Sequence, residues 1–148
     1  MPTNIRHIAH AAAALLICAL LSACSAPRLG ADNGKFQACP AAPHCVSSTE
    51  NNSEKYIAPI SVKSQDDWQR LQNLLLAMPR TELISRDTHY LHAVTSTAIM
   101  RYKDDVELLY TPSKNTVDVR SSSRIGYYDF EVNRERIETL RSEFQRSK

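Results

Sequence analysis

The chain has 148 residues, enough for one domain and too few for two separate hydrophobic cores. Hydrophobic residues make up 43% of it and charged residues 23%, which is typical of a globular protein and excludes a disordered or fibrous one. The formal net charge is only +2, so nucleic acid is not an expected partner, because nucleic-acid-binding domains carry clustered positive charge.

The first 23 residues are typical of an export signal. Arg6 and His7 form a short basic start, and the apolar run at residues 11–21 is too short to span a membrane. The run ends in Leu-Ser-Ala-Cys at residues 21–24, which resembles the lipobox of bacterial lipoprotein precursors. That resemblance implies cleavage before Cys24 and acylation of its sulfur and its new amino group. The alternative is an ordinary signal peptide followed by an incidental cysteine.

Cys24 and the segment after it predict where the protein is anchored and a flexible tether that follows the anchor. Several acyl chains on Cys24 would anchor the protein to the membrane, because each buried methylene contributes about 0.8 kcal/mol. By resemblance to lipoproteins, Ser25 favours the outer membrane, with the domain facing the periplasm. Pro27, Gly30 and Gly34 occur with almost no apolar periodicity, which predicts a flexible tether. The predicted organisation is a signal peptide, a tether and one globular domain, at residues 1–23, 24–37 and 38–148.

Two cysteines beyond the predicted anchor, Cys39 and Cys45, enclose a short segment with two prolines. An exported chain folds in an oxidising compartment, so a disulfide between them is the natural interpretation. Closing so small a loop contributes roughly 2–3 kcal/mol. The alternative is a metal site with His44 as a third ligand, which lacks a convincing fourth ligand and matches no zinc spacing. The sequence therefore predicts neither a metal nor another cofactor.

The region that follows begins with a short strand candidate and a helix. Residues 56–60 form the strand candidate, which Pro59 restricts to a sheet edge or a strand start. The helix begins after Ser64, whose side chain and that of Asp67 form a capping box, and it ends before Pro79. The apolar stripe of this helix, predicted to be core, consists of Trp68, Leu71, Leu75 and Met78.

The rest of the chain predicts a meander and a second helix. Strand-like runs occur at residues 82–86, 90–95, 98–102, 106–110 and 116–121. They are antiparallel because no crossover helix fits between them, and residues 90–102 are alternatively one bent strand with a bulge near Ser96. The last helix spans about residues 130–145, with Asp129 as its N-cap. The predicted fold class is α+β, an antiparallel β-meander sheet of about four to five strands with an N-terminal and a C-terminal helix packed on it.

Polar side chains are densest where the last predicted strand meets the C-terminal helix. They are Arg120, Ser121, Ser123, Arg124, Asp129, Asn133 and Arg134. Asn133 precedes Ile137 by one helical turn, so it points inward and needs partners at the end of the strand. The arginines and serines predict a pocket for an anionic small molecule, a carboxylate or a phosphate, beside the helix N-terminus.

The competing interpretation of this junction is structural. In it, Arg124 pairs with Asp129, and Arg120 either pairs with Asp104 or Asp105 or is exposed to solvent. Turn formation explains the two adjacent aspartates better than a paired catalytic site, since neighbours on a hairpin point in opposite directions.

A hydrolase would use His89 or His92 as the base, Ser121 or Ser123 as the nucleophile and Asp129 to orient the base. No nucleophile motif supports it, so the sequence favours no catalytic residues. His89 is expected to be solvated in a turn, and His92 is expected to be packed and hydrogen-bonded on a strand.

Several motifs in order resemble the family catalogued as domain of unknown function 1499 (DUF1499). They are CPxxPxCVSS at residues 39–48, YIxP at 56–59, DDVE at 104–107, RSxSRxGxxD at 120–129 and NR at 133–134. The resemblance covers residues 39 to about 144, and it implies no established activity. His44 replaces a usual asparagine, and Glu131 replaces a usual glycine and adds a negative charge at the helix start.

Together these features predict a lipid-anchored envelope protein that catalyses nothing. Its expected partners are the membrane, through the lipid on Cys24, and an anionic small molecule or an envelope protein. An envelope hydrolase that uses the residues of the junction is the alternative.

Overall fold

A computed structural model describes residues 29–31 and 34–147. The predicted signal peptide and the predicted lipidation site, Cys24, lie outside the described residues. The strands are β1 (Cys45–Ser47), β2 (Ile60–Ser61), β3 (Thr81–Arg86), β4 (Tyr90–Ser96), β5 (Lys103–Thr111) and β6 (Thr116–Ser123). The helices are α1 (Gln65–Ala77) and α2 (Val132–Arg146). Within the described part of the chain, no helix is long and apolar enough to cross a membrane.

The six strands form one antiparallel sheet in the order β1-β6-β5-β4-β3, with β2 also paired to β6. Strands β3 to β6 follow one another as a meander, because short turns join each strand to the next. Strands β1 and β2 pair with opposite ends of β6, where Cys45 faces Ser122 and Ile60 faces Val117. The predicted α+β class and antiparallel meander are confirmed.

Helix α1 begins as the sequence predicts. The Ser64 hydroxyl accepts a hydrogen bond from the Asp67 N–H at 3.2 Å, and the Asp67 carboxylate accepts one from the Lys63 N–H at 2.8 Å. The first bond satisfies an N–H group that the first helical turn leaves free, and the second joins the residue before the N-cap to that turn. The helix ends at Ala77, before Met78 and Pro79.

Both helices contribute to one hydrophobic core on one face of the sheet, which we call the helix side. The predicted stripe residues Trp68, Leu71 and Leu75 are buried there, and Met78 packs against them. The indole of Trp68 stacks on the Tyr110 ring, with 5.6 Å between ring centroids. Helix α2 contributes Ile137, Leu140 and Phe144, and the strands contribute Leu91, Ala93, Val106, Leu108, Val117 and Val119.

Two details of the meander differ from the prediction. Residues 98–102 form no strand; they connect β4 to β5 and are exposed, so the sheet has no bent strand over residues 90–102. Asp104 and Asp105, predicted in a turn, are buried inside β5. Turn propensity is misleading here because both carboxylates have arginine partners in the folded chain.

Candidate functional site

Strand β6 sends alternate side chains to the two faces of the sheet. Val119 and Ser121 face the helix side, whereas Arg120 and Ser122 face the other side, which we call the second face. The neighbouring strand does the same, so Asp104 and Asp105 point in opposite directions, as predicted. The polar junction predicted from the sequence is therefore divided into two groups by the sheet.

The group on the helix side is centred on Asn133, which is 0% exposed. We call it the Asn133 cluster; its members are Asp104, Ser121, Ser123, Asp129, Asn133 and Arg136. The Asn133 side-chain NH₂ donates to Asp129 Oδ2 at 2.7 Å, to Ser123 Oγ at 3.0 Å and to the His44 carbonyl at 3.0 Å. Its Oδ1 accepts from Ser121 Oγ at 2.6 Å. The prediction that Asn133 points inward and bonds to the strand end is confirmed.

Arg136 completes the Asn133 cluster and was missed by the sequence reasoning. Its guanidinium donates to Asp104 Oδ2 at 2.6 Å, to Asn133 Oδ1 at 2.7 Å and to Ser121 Oγ at 2.9 Å. Arg136 follows Asn133 by three residues in α2, so both lie on neighbouring positions of one helix surface. That spacing, read together with a buried asparagine, is the signal that could have found it.

The start of α2 depends on Asp129. Its carboxylate accepts hydrogen bonds from the backbone N–H groups of Glu131 at 3.2 Å and Asn133 at 3.1 Å. The helix itself begins at Val132 rather than near residue 130, because Phe130 and Glu131 both have positive φ angles, 55° and 65°. Glu131 occupies a left-handed position that favours glycine, the residue usual there in the family that the sequence resembles.

The second face carries a different polar group, centred on Glu107 and Asp105. We call it the second-face cluster; its members are Tyr90, His92, Asp105, Glu107, Arg120 and Arg124. Glu107 is 0% exposed and accepts from Arg120 Nη1 at 3.0 Å and from the Tyr90 hydroxyl at 2.7 Å. Burial and this bond to the Glu107 carboxylate raise the pKa of the Tyr90 phenol above its ordinary value. Arg120 is 5% exposed and therefore not solvated.

Asp105 accepts hydrogen bonds from two sides. Arg124 forms a bidentate pair with it, at 2.9 Å from Nε and 2.7 Å from Nη2, and His92 Nε2 lies 2.8 Å from its Oδ1. Burial disfavours the Asp105 carboxylate, but the bonds from His92 and Arg124 outweigh it and hold the pKa of Asp105 below its ordinary value. The bond to Asp105 in turn raises the pKa of Arg124. His92 is packed and hydrogen-bonded, as predicted.

A cavity of about 390 Å³ lies against this second-face cluster. Its lining comprises Leu29, Gln37, Ala38, Pro40, His44, Asp105, Arg120, Ser122, Ser123 and Arg124. The sulfur atoms of Cys39 and Cys45 lie 2.07 Å apart, at disulfide distance, and so hold the segment that forms one wall close to β1. Phe36 is buried, although it belongs to the segment predicted as a tether.

Two buried polar atoms of the cavity lining have no hydrogen-bond partner among the described residues. They are Arg120 Nε and His44 Nδ1. Both residues are at least nine-tenths buried, at 5% and 8% exposure. An unpaired polar atom costs about 1–3 kcal/mol when water cannot reach it, so two such atoms in one cavity lining need an explanation, of which a bound molecule is one.

The three arginines of the predicted anion pocket do not converge. Arg120 and Arg124 line the second-face cavity, but their partners differ from those predicted: Arg120 pairs with Glu107 instead of Asp104 or Asp105, and Arg124 pairs with Asp105 instead of Asp129. Arg134 lies elsewhere and donates to the backbone carbonyls of Tyr56 at 2.9 Å and Glu54 at 2.6 Å. These bonds fix the loop before β2 to helix α2.

The residues considered for hydrolysis are also distributed over both faces. Ser121 and Asp129 lie in the Asn133 cluster on the helix side, whereas His92 lies on the second face. His89 is exposed, and its ring meets the Tyr110 ring edge-on at 5.9 Å. Within the described residues, no three His, Cys, Asp or Glu side chains are grouped as ligands of a metal ion would be.

Comparison with known proteins assigns the chain to a family. The model of the family described as "Protein of unknown function (DUF1499)" matches residues 35–144. The chain belongs to this family. The match starts one residue before Phe36, so the DUF1499 domain includes Gln37, Ala38 and Pro40 of the cavity wall as well as the sheet, whereas Leu29 lies before it. No curated protein and no solved structure matches this DUF1499 chain.

Proposed function

We propose that this protein is a lipid-anchored envelope domain that binds a small neutral ligand in the second-face cavity and catalyses no reaction on it. The observation that carries the proposal is the pair of unpartnered buried atoms, Arg120 Nε and His44 Nδ1, in one cavity lining. Small-molecule binding sites are largely preformed, and a few polar groups in their mostly apolar walls fix the orientation of the ligand. Leu29, Ala38 and Pro40 supply the apolar part of this wall.

The charges favour a neutral ligand over the anionic one predicted from the sequence. The positive charge of Arg120 is paired with Glu107, and that of Arg124 with Asp105. A carboxylate or phosphate ligand would compete with these two protein carboxylates in a buried region, where like charges repel strongly. A carbonyl or hydroxyl oxygen avoids that cost, and it would accept from Arg120 Nε once the side chains that cover this buried atom make room for it.

The anchor is supported by the sequence at residues 21–24 and by the predicted h-region before it. Its test is the mass of the N-terminal peptide of the purified mature protein. We expect Cys24 as the first residue, with acyl chains on its sulfur and amino group. An N-terminal peptide without acyl chains would contradict the anchor.

Ligand binding is tested by NMR on the mature lipoprotein, with N-methylacetamide as a neutral probe and acetate as an anionic probe of similar size. We expect the Arg120 Nε–Hε resonance to shift with N-methylacetamide in the millimolar range and to respond less to acetate. A resonance that moves with acetate alone would overturn the neutral-ligand proposal, and one that moves with neither probe would overturn the site.

Variants of Arg120 and His44, the residues that carry the two unpartnered atoms, sharpen this test. Arg120→Lys keeps the charge beside Glu107 but removes the Nε–H, so we expect the affinity for N-methylacetamide to fall about fivefold, the equivalent of one hydrogen bond. His44→Ala is expected to weaken binding similarly, whereas His44→Asn keeps a polar group at the cavity and should retain it. Chemical shifts of core methyl groups control for loss of the fold.

A further inference from the structure

One end of the sheet exposes a group of large apolar side chains, which we call the apolar tip. Its members are Ile99, Met100, Tyr102, Ile125, Tyr127, Tyr128 and Phe130. Ile99 is 90% exposed and Phe130 is 80% exposed. Single exposed apolar residues are ordinary on protein surfaces, but a concentration of this kind marks a surface that meets a protein or a membrane.

The apolar tip is built from two neighbouring loops. Residues 97–102 connect β4 to β5, and residues 124–131 connect β6 to α2. The two loops touch, because the Arg124 N–H donates to the Lys103 carbonyl at 3.0 Å, next to the paired residues Asp104 and Ser123. The opposite end of the sheet holds the polar 3₁₀ turn Pro112–Lys114. Leu83 and Ile84 on the edge strand β3 are also exposed, at 42% and 50%, but seven of the ten exposed large apolar side chains in the described part of the chain belong to the tip.

The position of the N-terminal segment points to a bilayer as the partner of this surface. Leu29 and Arg124 line the same cavity, and Arg124 is the first residue of one of the two tip loops. Only four residues lie between Cys24 and Leu29, and the five chain steps that join them span at most about 18 Å when fully extended. This step rests on the anchor under Proposed function: an acyl chain on Cys24 would hold the membrane surface within that distance of Leu29, which lines the same cavity as the first residue of a tip loop.

The composition of the loops suits the interface of a bilayer. Tyrosine and phenylalanine place an apolar ring at the level of the lipid headgroups, and three tyrosines and one phenylalanine belong to the tip. Arg101 and Lys103 alternate with Met100 and Tyr102 and are exposed, so their charged ends can reach the headgroups while the apolar neighbours enter the acyl boundary. We propose that the apolar tip docks into the interface of the bilayer that carries the lipid anchor.

The proposal is tested with variants of the mature lipoprotein that each carry one added tryptophan. The variants are reconstituted in vesicles of phosphatidylcholine whose acyl chains are either brominated or unbrominated. Phe130→Trp and Ile99→Trp place a reporter in each tip loop, and Ser113→Trp is the matched control at the exposed opposite end of the sheet. The native Trp68 is buried in the core and contributes the same background to all three. We expect brominated lipid to quench the two tip reporters at least about twofold more than the control, because bromine quenches only at the depth of the bilayer.

Equal quenching of tip and control reporters, or none at either tip position, would overturn the docking proposal. If the tip reporters are unquenched by bromine and also shielded from aqueous acrylamide without vesicles, a second copy of the chain covers the tip instead. The mass of the N-terminal peptide from the same preparation reports the anchor separately. An acylated protein with unquenched tip reporters therefore contradicts docking alone, whereas an unacylated protein contradicts the anchor.

Discussion

The Asn133 cluster and the second-face cluster take alternate residues from β6, yet they differ in how completely their polar atoms are bonded. In the Asn133 cluster the asparagine side chain has partners for both its NH₂ group and its oxygen. In the second-face cluster Arg120 Nε has no partner among the described residues, although Arg120 is only 5% exposed. A complete network fixes a fold, whereas an incomplete one beside a cavity suits a ligand.

The two clusters also differ in what encloses them. The Asn133 cluster lies between the sheet and α2, which contributes part of the hydrophobic core. The second-face cluster is covered by the segment that contains Gln37, Ala38 and Pro40, which the Cys39–Cys45 pair holds beside β1. Substitutions in the first cluster should therefore change mainly the free energy of unfolding. Substitutions of His44, and of Arg120 where the charge beside the buried Glu107 is kept, should change mainly binding.

The largest expected effect is that of Asn133→Ala on stability. The substitution removes five hydrogen bonds of the side chain and leaves the hydroxyl proton of buried Ser121 without its acceptor. We expect the free energy of unfolding to fall by about 3–4 kcal/mol, because the cost of buried groups without partners adds to the lost bonds. Denaturant unfolding followed by circular dichroism measures it.

Asn73→Ala is the matched control for this prediction. Asn73 is an exposed helical asparagine whose Oδ1 accepts only from Gln69 at 3.2 Å. Its removal should change the free energy of unfolding by less than about 0.5 kcal/mol. Similar losses for both variants would show that the Asn133 cluster does not fix the fold.

A smaller effect is expected from Asp105, in the second-face cluster, and it depends on pH. The pKa of Asp105 is lowered in the folded protein from an ordinary value of 3.8, so its contribution to stability is complete above that value and is lost as the pH falls through the folded pKa. Asp105→Asn should lower the free energy of unfolding by about 1–3 kcal/mol at pH 7 and by less near pH 3. Denaturant midpoints measured at several pH values check the prediction.

The control for Asp105 is Asp66→Asn, an exposed carboxylate in the first turn of α1. Its loss should be a few tenths of a kcal/mol, with a much weaker dependence on pH. If the difference between wild type and Asp105→Asn stays constant from pH 7 to pH 3, the ion pair with Arg124 is not what stabilises the second-face cluster.

Much of the fold was predictable because its determinants are local. Ser64 and Pro79 bound α1, and the stripe that includes Trp68 and Leu71 follows the helical period. The short turns of the meander leave only antiparallel pairing. The inward position of Asn133 followed from its spacing to Ile137, and its partners at the strand end were those expected.

The division of the junction into two clusters was not predictable from local patterns. Alternation along β6 places Arg120 and Ser121 on opposite faces, yet both were predicted to line one pocket. Alternation also could not show that the second face is covered, because the covering residues Gln37, Ala38 and Pro40 are far from β6 in the chain. Solvation of Arg120 was therefore the wrong expectation. Its partner Glu107 and the partner of Arg124, Asp105, come from a strand whose start was interpreted as a turn.

The smallest expected effect concerns the residue that joins the apolar tip to the Asn133 cluster, Glu131. Its φ of 65° lies in the left-handed region, and its carboxylate makes one exposed bond, from Arg134 Nε at 3.2 Å. Glu131→Gly relieves the backbone strain and loses little, so we expect the free energy of unfolding to rise by about 0.5–1 kcal/mol. Ser142→Gly, at an exposed position inside α2, should instead lower it by about 0.5 kcal/mol, since glycine is unfavourable within a helix. Thermal unfolding measures both changes in the free energy of unfolding. Changes of opposite sign would show that the left-handed turn at Glu131, and not helix propensity, determines where α2 begins. A loss of stability in both variants would contradict this explanation.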